Sequence, residues 1–125
     1  MAGKSEFIQY LLELLEVFGP VSAKAMFGGF GIFRGGVMLG LVADETFYLK
    51  VDEKSRPEFE SRGLCPFVYK TKGKEFSMSY YQAPEEALED PEEMAKWAKK
   101  AYDAAKRASQ GKRRKKRAKE LSRGH

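Results

Sequence analysis

The chain has 125 residues, with 23 Lys or Arg against 18 Asp or Glu, a formal charge of +5, and 42% hydrophobic residues. That is room for one ordinary core, and no apolar run approaches the roughly 20 residues that span a bilayer. A single cysteine, Cys65, excludes an internal disulfide and fits a reducing compartment.

The charge is unevenly spread. Residues 112–125 hold eight basic residues and one acid, which leaves 15 basic against 17 acidic residues in 1–111. The basic character therefore belongs to an appendage, and the division expected is a globular domain over 1–109 followed over 110–125 by a basic tail, either disordered or a fraying extension of the last helix. The first residues, Met1 to Phe7, lack the basic-then-apolar order of a secretory signal, so a cytoplasmic protein is expected.

Ser5 is placed to cap a first helix, whose apolar positions Phe7, Ile8, Leu11, Leu12, Leu15 and Phe18 recur at helical spacing until Gly19 and Pro20 end it. A strand broken by glycines is predicted over 25–34, the Gly35-Gly36 pair turns it back, and strands follow over 37–42 and 46–51. Asp52 is the expected cap of a short helix anchored by Phe59 and ended by Gly63. A second hairpin spans Phe67 to Lys70 and Glu75 to Tyr80 across Lys72-Gly73, with Phe76, Met78 and Tyr80 on one face. Asp90, Pro91 and Glu93 then read as N-cap, N1 and capping-box partner of a last helix with the stripe Met94, Trp97, Ala98, Ala101, Ala105 and Ala108. The order α-β-β-β-α-β-β-α predicts an α+β fold in two layers: a mostly antiparallel five-stranded sheet with helices on one face. The other sheet face is left for water, a partner or a second copy.

The run Met26-Phe27-Gly28-Gly29-Phe30-Gly31-Ile32-Phe33, followed by Gly36-Val37-Met38, opens a longer pattern. It continues through Phe47-Tyr48-Leu49-Lys50-Val51-Asp52, Pro66-Phe67-Val68-Tyr69, Met78-Ser79-Tyr80-Tyr81 and the Trp97-Ala98 helix. Together, over roughly residues 5–108, these resemble the N-terminal domain of the TfoX/Sxy family, bacterial regulators of competence for DNA uptake. The resemblance implies an antiparallel sheet with helices and a regulatory or interaction module, and it supplies no catalytic residues. Full-length members act with the cyclic-AMP receptor protein and carry a second, helical C-terminal domain, for which this sequence offers only its basic segment.

Several residue groups are candidates for function. Met26, Phe27, Gly28, Gly29, Phe30, Gly31 and Phe33 read either as core packing or as a partner or dimer surface. The glycines do not form a dinucleotide-binding loop, since Arg34 stands where the last glycine belongs. Tyr69, Lys72, Lys74, Tyr80 and Tyr81 interleave aromatic and basic side chains, as surfaces that stack bases do, and as half-exposed hairpins also do. Cys65 reads as a buried, inert thiol. His125 is the one histidine, so no nucleophile–base pair and no metal set can be assembled, and neither catalysis nor a cofactor is expected. The acids Glu85, Glu86, Glu89, Asp90, Glu92 and Glu93 suit a helix start, with a clasp on the chain's own basic end as the alternative.

Lys112, Arg113, Arg114, Lys115, Lys116, Arg117, Lys119 and Arg123 form the strongest hint outside the resemblance. They read as a non-specific phosphate anchor or as a solubilising end. The first function expected is thus a non-enzymatic regulatory module that binds a protein partner, such as a transcription factor or polymerase component, or pairs as a homodimer, while the tail holds nucleic acid. The alternative is a small nucleic-acid-binding protein that uses the Tyr/Lys hairpin and the tail together.

Overall fold

The computed structural model describes residues 2–26, 29–71 and 73–123, with side chains placed outside 2–5, 69, 71, 74–78 and 111–123. Its elements are α1 Ala2–Leu14, β1 Ser22–Met26, β2 Gly29–Arg34, β3 Val37–Ala43, β4 Thr46–Lys50, α2 Arg56–Ser61, β5 Pro66–Thr71, β6 Lys74–Gln82, α3 Glu85–Glu89 and α4 Pro91–Arg123. The expected two-layer α+β fold is present, with one strand and one helix more than predicted. The stretch 25–34 is divided: β1 and β2 pair antiparallel, Met26 opposite Gly29, so the glycine run separates two strands instead of kinking one. Gly29 marks a close approach, since a Cβ there would stand 2.0 Å from the Val42 carbonyl oxygen. The extra helix, α3, is a single short turn after Pro84.

The six strands lie in the order β1-β2-β3-β4-β6-β5, and every neighbouring pair is antiparallel. A register shift between Ile32 and Phe33 turns Leu39 into the core. One sheet face carries Ile32, Leu39, Val42, Phe47, Leu49 and Tyr81, which pack under Ile8, Leu11 and Leu15 of α1, Phe59 of α2 and Met94, Trp97, Ala98 and Ala101 of α4. The small alanines let α4 lie close to β3 and β4. Phe59, fully buried, meets Tyr81 at 6.0 Å and Trp97 at 5.2 Å between ring centroids.

Local chemistry fixes the element ends. α1 begins at Ala2, earlier than a Ser5 cap would set, and the Tyr10 hydroxyl donates to the Leu88 carbonyl to pin it to α3. Gly19 adopts φ +141° against the Arg34 guanidinium, which donates to the Phe18 carbonyl at 3.0 Å and stacks on the Phe18 and Tyr102 rings. At α2, Asp52 and Ser55 exchange backbone-to-side-chain hydrogen bonds of 3.0 Å, so Asp52 caps the turn that leads in and the helix itself starts at Arg56. Asp90 accepts from the Glu92 N–H at 2.9 Å, as a cap should. Glu93 does not complete the box; it accepts from Lys96 at 3.3 Å.

The β3–β4 hairpin turns through Asp44 and Glu45, both left-handed at φ 49° and 56°. A two-residue turn of this hand suits Asn-Gly or Asp-Gly, and a glutamate there bears steric strain of about 1 kcal/mol. Glu45→Gly is expected to raise the unfolding free energy by about 0.5–1 kcal/mol in chemical denaturation. An unchanged or lowered midpoint would contradict the strain.

Candidate functional site

The sheet face turned away from the helices is built by strand alternation. Ile32, Val42, Phe47 and Leu49 point into the helix-side core, so Gly31, Phe33, Leu41 and Tyr48 point the other way. Cross-strand pairing adds Met26 opposite Gly29 and Met38 opposite Phe33. A Cβ at Gly31 would stand 2.8 Å from the Phe33 ring and 2.9 Å from the Met26 sulfur; the glycine leaves the space these two side chains fill. Leu41 is only 4% exposed although it lies outside the helix-side core. Phe33, Met26 and Met38 are half-buried, and Tyr48 meets Phe67 edge-to-face at 5.0 Å. The strands β1 to β5 carry no acid at all. Lys24 and Lys50 are the charges that alternation brings to this side among the described residues. The result is a surface rich in methionine and aromatic rings, with cations toward its margins.

This divides the glycine-rich candidate. Phe30 packs against the helix-side core, whereas Met26, Gly31 and Phe33 share the open face. Phe27 and Gly28 lie outside the described residues.

The Tyr/Lys hairpin is not a single exposed platform. Tyr80 and Tyr81 are consecutive strand residues and face opposite ways, and both are under a tenth exposed. Tyr81 sits in the core, and its hydroxyl donates to Glu60 at 2.9 Å. Burial raises the pKa of Tyr80, whose ring lies 5.1 Å from the Lys50 ammonium. The side chains of Tyr69 and Lys74, and the whole of Lys72, lie outside the described residues.

Cys65 is exposed, which corrects its reading as a buried thiol. It sits in the loop ahead of β5, and the fold uses its backbone: its carbonyl accepts from the Gln82 N–H at 2.9 Å, and its own N–H donates to Gln82 Oε1 at 3.3 Å. No group of three or more His, Cys, Asp or Glu gathers at one point among the described residues. No described helix is long and apolar enough to cross a membrane.

The basic segment continues the last helix. α4 runs for 33 residues, about 50 Å at 1.5 Å per residue. Among its described side chains Ala105 is the last that is buried, and Ser109 and Gln110 are already exposed. Just before this exit, Arg107 donates two hydrogen bonds to Asp52, at 2.5 and 3.1 Å, tying the helix to the β4–α2 junction. The acidic groups lie at the other end. Glu86 is bound by Arg62 at 2.6 and 3.0 Å, and Lys100 pairs with Glu58 at 2.6 Å. Arg62 and Lys100 also cover the Trp97 ring at 4.9 and 4.6 Å. About 30 Å of helix separates Glu93 from Lys112, several Debye lengths at physiological salt, so the backbone path keeps the acidic start of α4 from clasping its basic end.

The model of the TfoX N-terminal domain matches residues 13–105, from the last two residues of α1 to Ala105 of α4. The chain belongs to the TfoX N-terminal domain family. Members of this family are known for a regulatory domain and not for a catalytic one. The match ends at the residue where α4 leaves the core, so the basic half of α4 lies beyond the TfoX N-terminal unit. No curated protein matches the chain.

The contact of Arg34 with Phe18 and Tyr102 and the Asp52–Arg107 pair are not visible in the sequence. The partners are distant in the chain, and each charged residue taken alone looks like an ordinary surface charge.

Proposed function

We propose that this TfoX N-terminal domain is a non-enzymatic regulatory module of the bacterial cytoplasm. It would bind a protein through its open sheet face and be held near nucleic acid by the basic half of α4. The observation that carries this reading is the separation of two surfaces: an apolar sheet face with no acid among its described side chains, and a cationic segment that continues the last helix. Interfaces concentrate Met and aromatic residues at their centre, and Met26, Phe33, Met38, Leu41 and Tyr48 supply them here. Lys24, exposed at the margin, favours a partner with an acid beside its apolar contact. Phosphate contact by the basic segment is sequence-independent, so its role is to raise the local concentration of the bound protein at DNA.

Phe33→Glu combined with Met38→Glu is the test of the face. Both side chains are half-buried, so urea unfolding of the substituted chain checks that the fold survives, whereas loss of a central anchor is worth roughly 2 kcal/mol or more at an interface. A protein cross-linked to the intact chain in cells, or a second copy in sedimentation, should then be lost by at least about tenfold. Equal recovery by the intact and substituted chains would contradict the assignment of this face.

A further inference from the structure

We propose that the basic half of α4 binds duplex DNA as a helix lying in the major groove, and not as an extended polycation. This rests on the reading above that the segment contacts nucleic acid, and it adds the form of the contact and the kind of duplex.

The first support is continuity. α4 is one helix from Pro91 to Arg123, and it leaves the core after Ala105, with Ser109 and Gln110 exposed. The remaining 110–123 amount to about 20 Å of helix. The second support is register. Lys112, Lys116, Lys119 and Arg123 recur at i, i+4, i+7 and i+11, one straight row along a helix. Arg113 and Arg117 form a neighbouring row. Gly111, Ala118 and Ser122 fall at i, i+7 and i+11, about a third of a turn from the lysine row, and Arg114 and Lys115 flank them, so register positions on every side of the helix carry a cation.

The third support is direction. The Asp52–Arg107 pair holds the last domain-packed turn of the helix, so the segment beyond it is aimed by the fold. An aimed helix also suits the charge distribution, because residues 1–111 carry 17 acids against 15 bases and gain by standing off from phosphates.

The dimensions select the ligand. A helix with side chains is about 10–12 Å across, and the B-DNA major groove is about 12 Å wide. The corresponding groove of A-form RNA is deep and too narrow to admit it. Cations along one row, flanked by a second, can reach the phosphates on either wall. Like charges at i, i+4 repel one another along a bare helix, so neutralisation by phosphate should increase its helicity.

The test uses the full chain in three forms: unaltered, Ala118→Pro, and a fourfold variant with Lys112, Lys116, Lys119 and Arg123 each replaced by Gln. Proline at 118 keeps every cation but breaks the helix. Fluorescence anisotropy would compare a short duplex DNA with an RNA duplex of the same sequence at about 0.1 M salt. The unaltered chain should prefer DNA by about tenfold or more and gain far-UV helicity on binding it. Ala118→Pro should lose about tenfold on DNA and with it the preference over RNA. If the glutamine variant loses binding while Ala118→Pro binds DNA like the unaltered chain, the contact is an extended one and the helical mode is overturned. Equal affinity of the unaltered chain for both duplexes overturns it as well. If the glutamine variant binds as tightly as the unaltered chain, the nucleic-acid role of the segment itself fails.

Discussion

Phe59→Ala is expected to remove about 3–5 kcal/mol of stability, the range for emptying a buried aromatic site. Phe59 is wholly inaccessible and is the one buried residue of α2, a helix of six residues. So short a helix cannot hold itself in water. The ring joins three elements by touching Tyr81 of β6 and Trp97 of α4. Alanine would leave a cavity bounded by two large rings held on a sheet and a long helix, neither of which can collapse into it. A domain of this size has about 5–15 kcal/mol in total, so the melting temperature should fall by roughly 15–25 °C. Trp97, the single tryptophan, is 4% exposed and reports unfolding by its own fluorescence. A loss below about 1 kcal/mol would show that α2 does not anchor the core.

The second large effect concerns Asp52. Its carboxyl is held well below the usual carboxylate range, chiefly by the Arg107 hydrogen bonds, with Ser55 adding to them and desolvation opposing. The sign follows from linkage: the folded protein binds the Asp52 proton less readily than the unfolded chain. Its contribution is therefore present above the unfolded value of about 4 and is lost as pH falls below it. Asp52→Asn should cost about 1–2 kcal/mol at neutral pH, a figure reduced for the solvent that reaches Arg107. The gap between the two proteins should narrow steadily as urea unfolding is repeated from about pH 4 downward. A gap independent of pH would assign the loss to packing and not to the ion pair.

Much of this fold can be read from local chemistry. Asp90-Pro91 marks the start of α4 because a cap and a fixed φ act within one turn. Phe59 stands out as the one large apolar residue of its segment, and Gly73, at φ +76°, makes the second hairpin turn. The alternation that buries Phe47 and Leu49 also gives the open face. What escaped is non-local. The division of 25–34 into β1 and β2 depends on which strands pair, and glycines weaken a strand in the same way whether it bends or ends. α3 is too short to show a period. Cys65 reads as interior by its residue type, yet its place before β5 leaves its side chain exposed. The Asp52–Arg107 clamp joins residues 55 positions apart, a pairing that no window along the sequence contains. For the open face the pattern supplied the residues, and only the sheet order shows that Met26, Phe33, Leu41 and Tyr48 lie on one side.

The central claim is that the basic half of α4 anchors an otherwise slightly acidic regulatory domain to nucleic acid. Its most direct test is anisotropy of labelled duplex DNA with the intact chain and with residues 1–111, which retain every buried residue up to Ala105, at low and near-physiological salt. Five engaged phosphates predict a log–log salt slope of about −4 to −5 for the intact chain, with no comparable binding by 1–111. Equal binding by the two forms, or none by either at low salt, would contradict it.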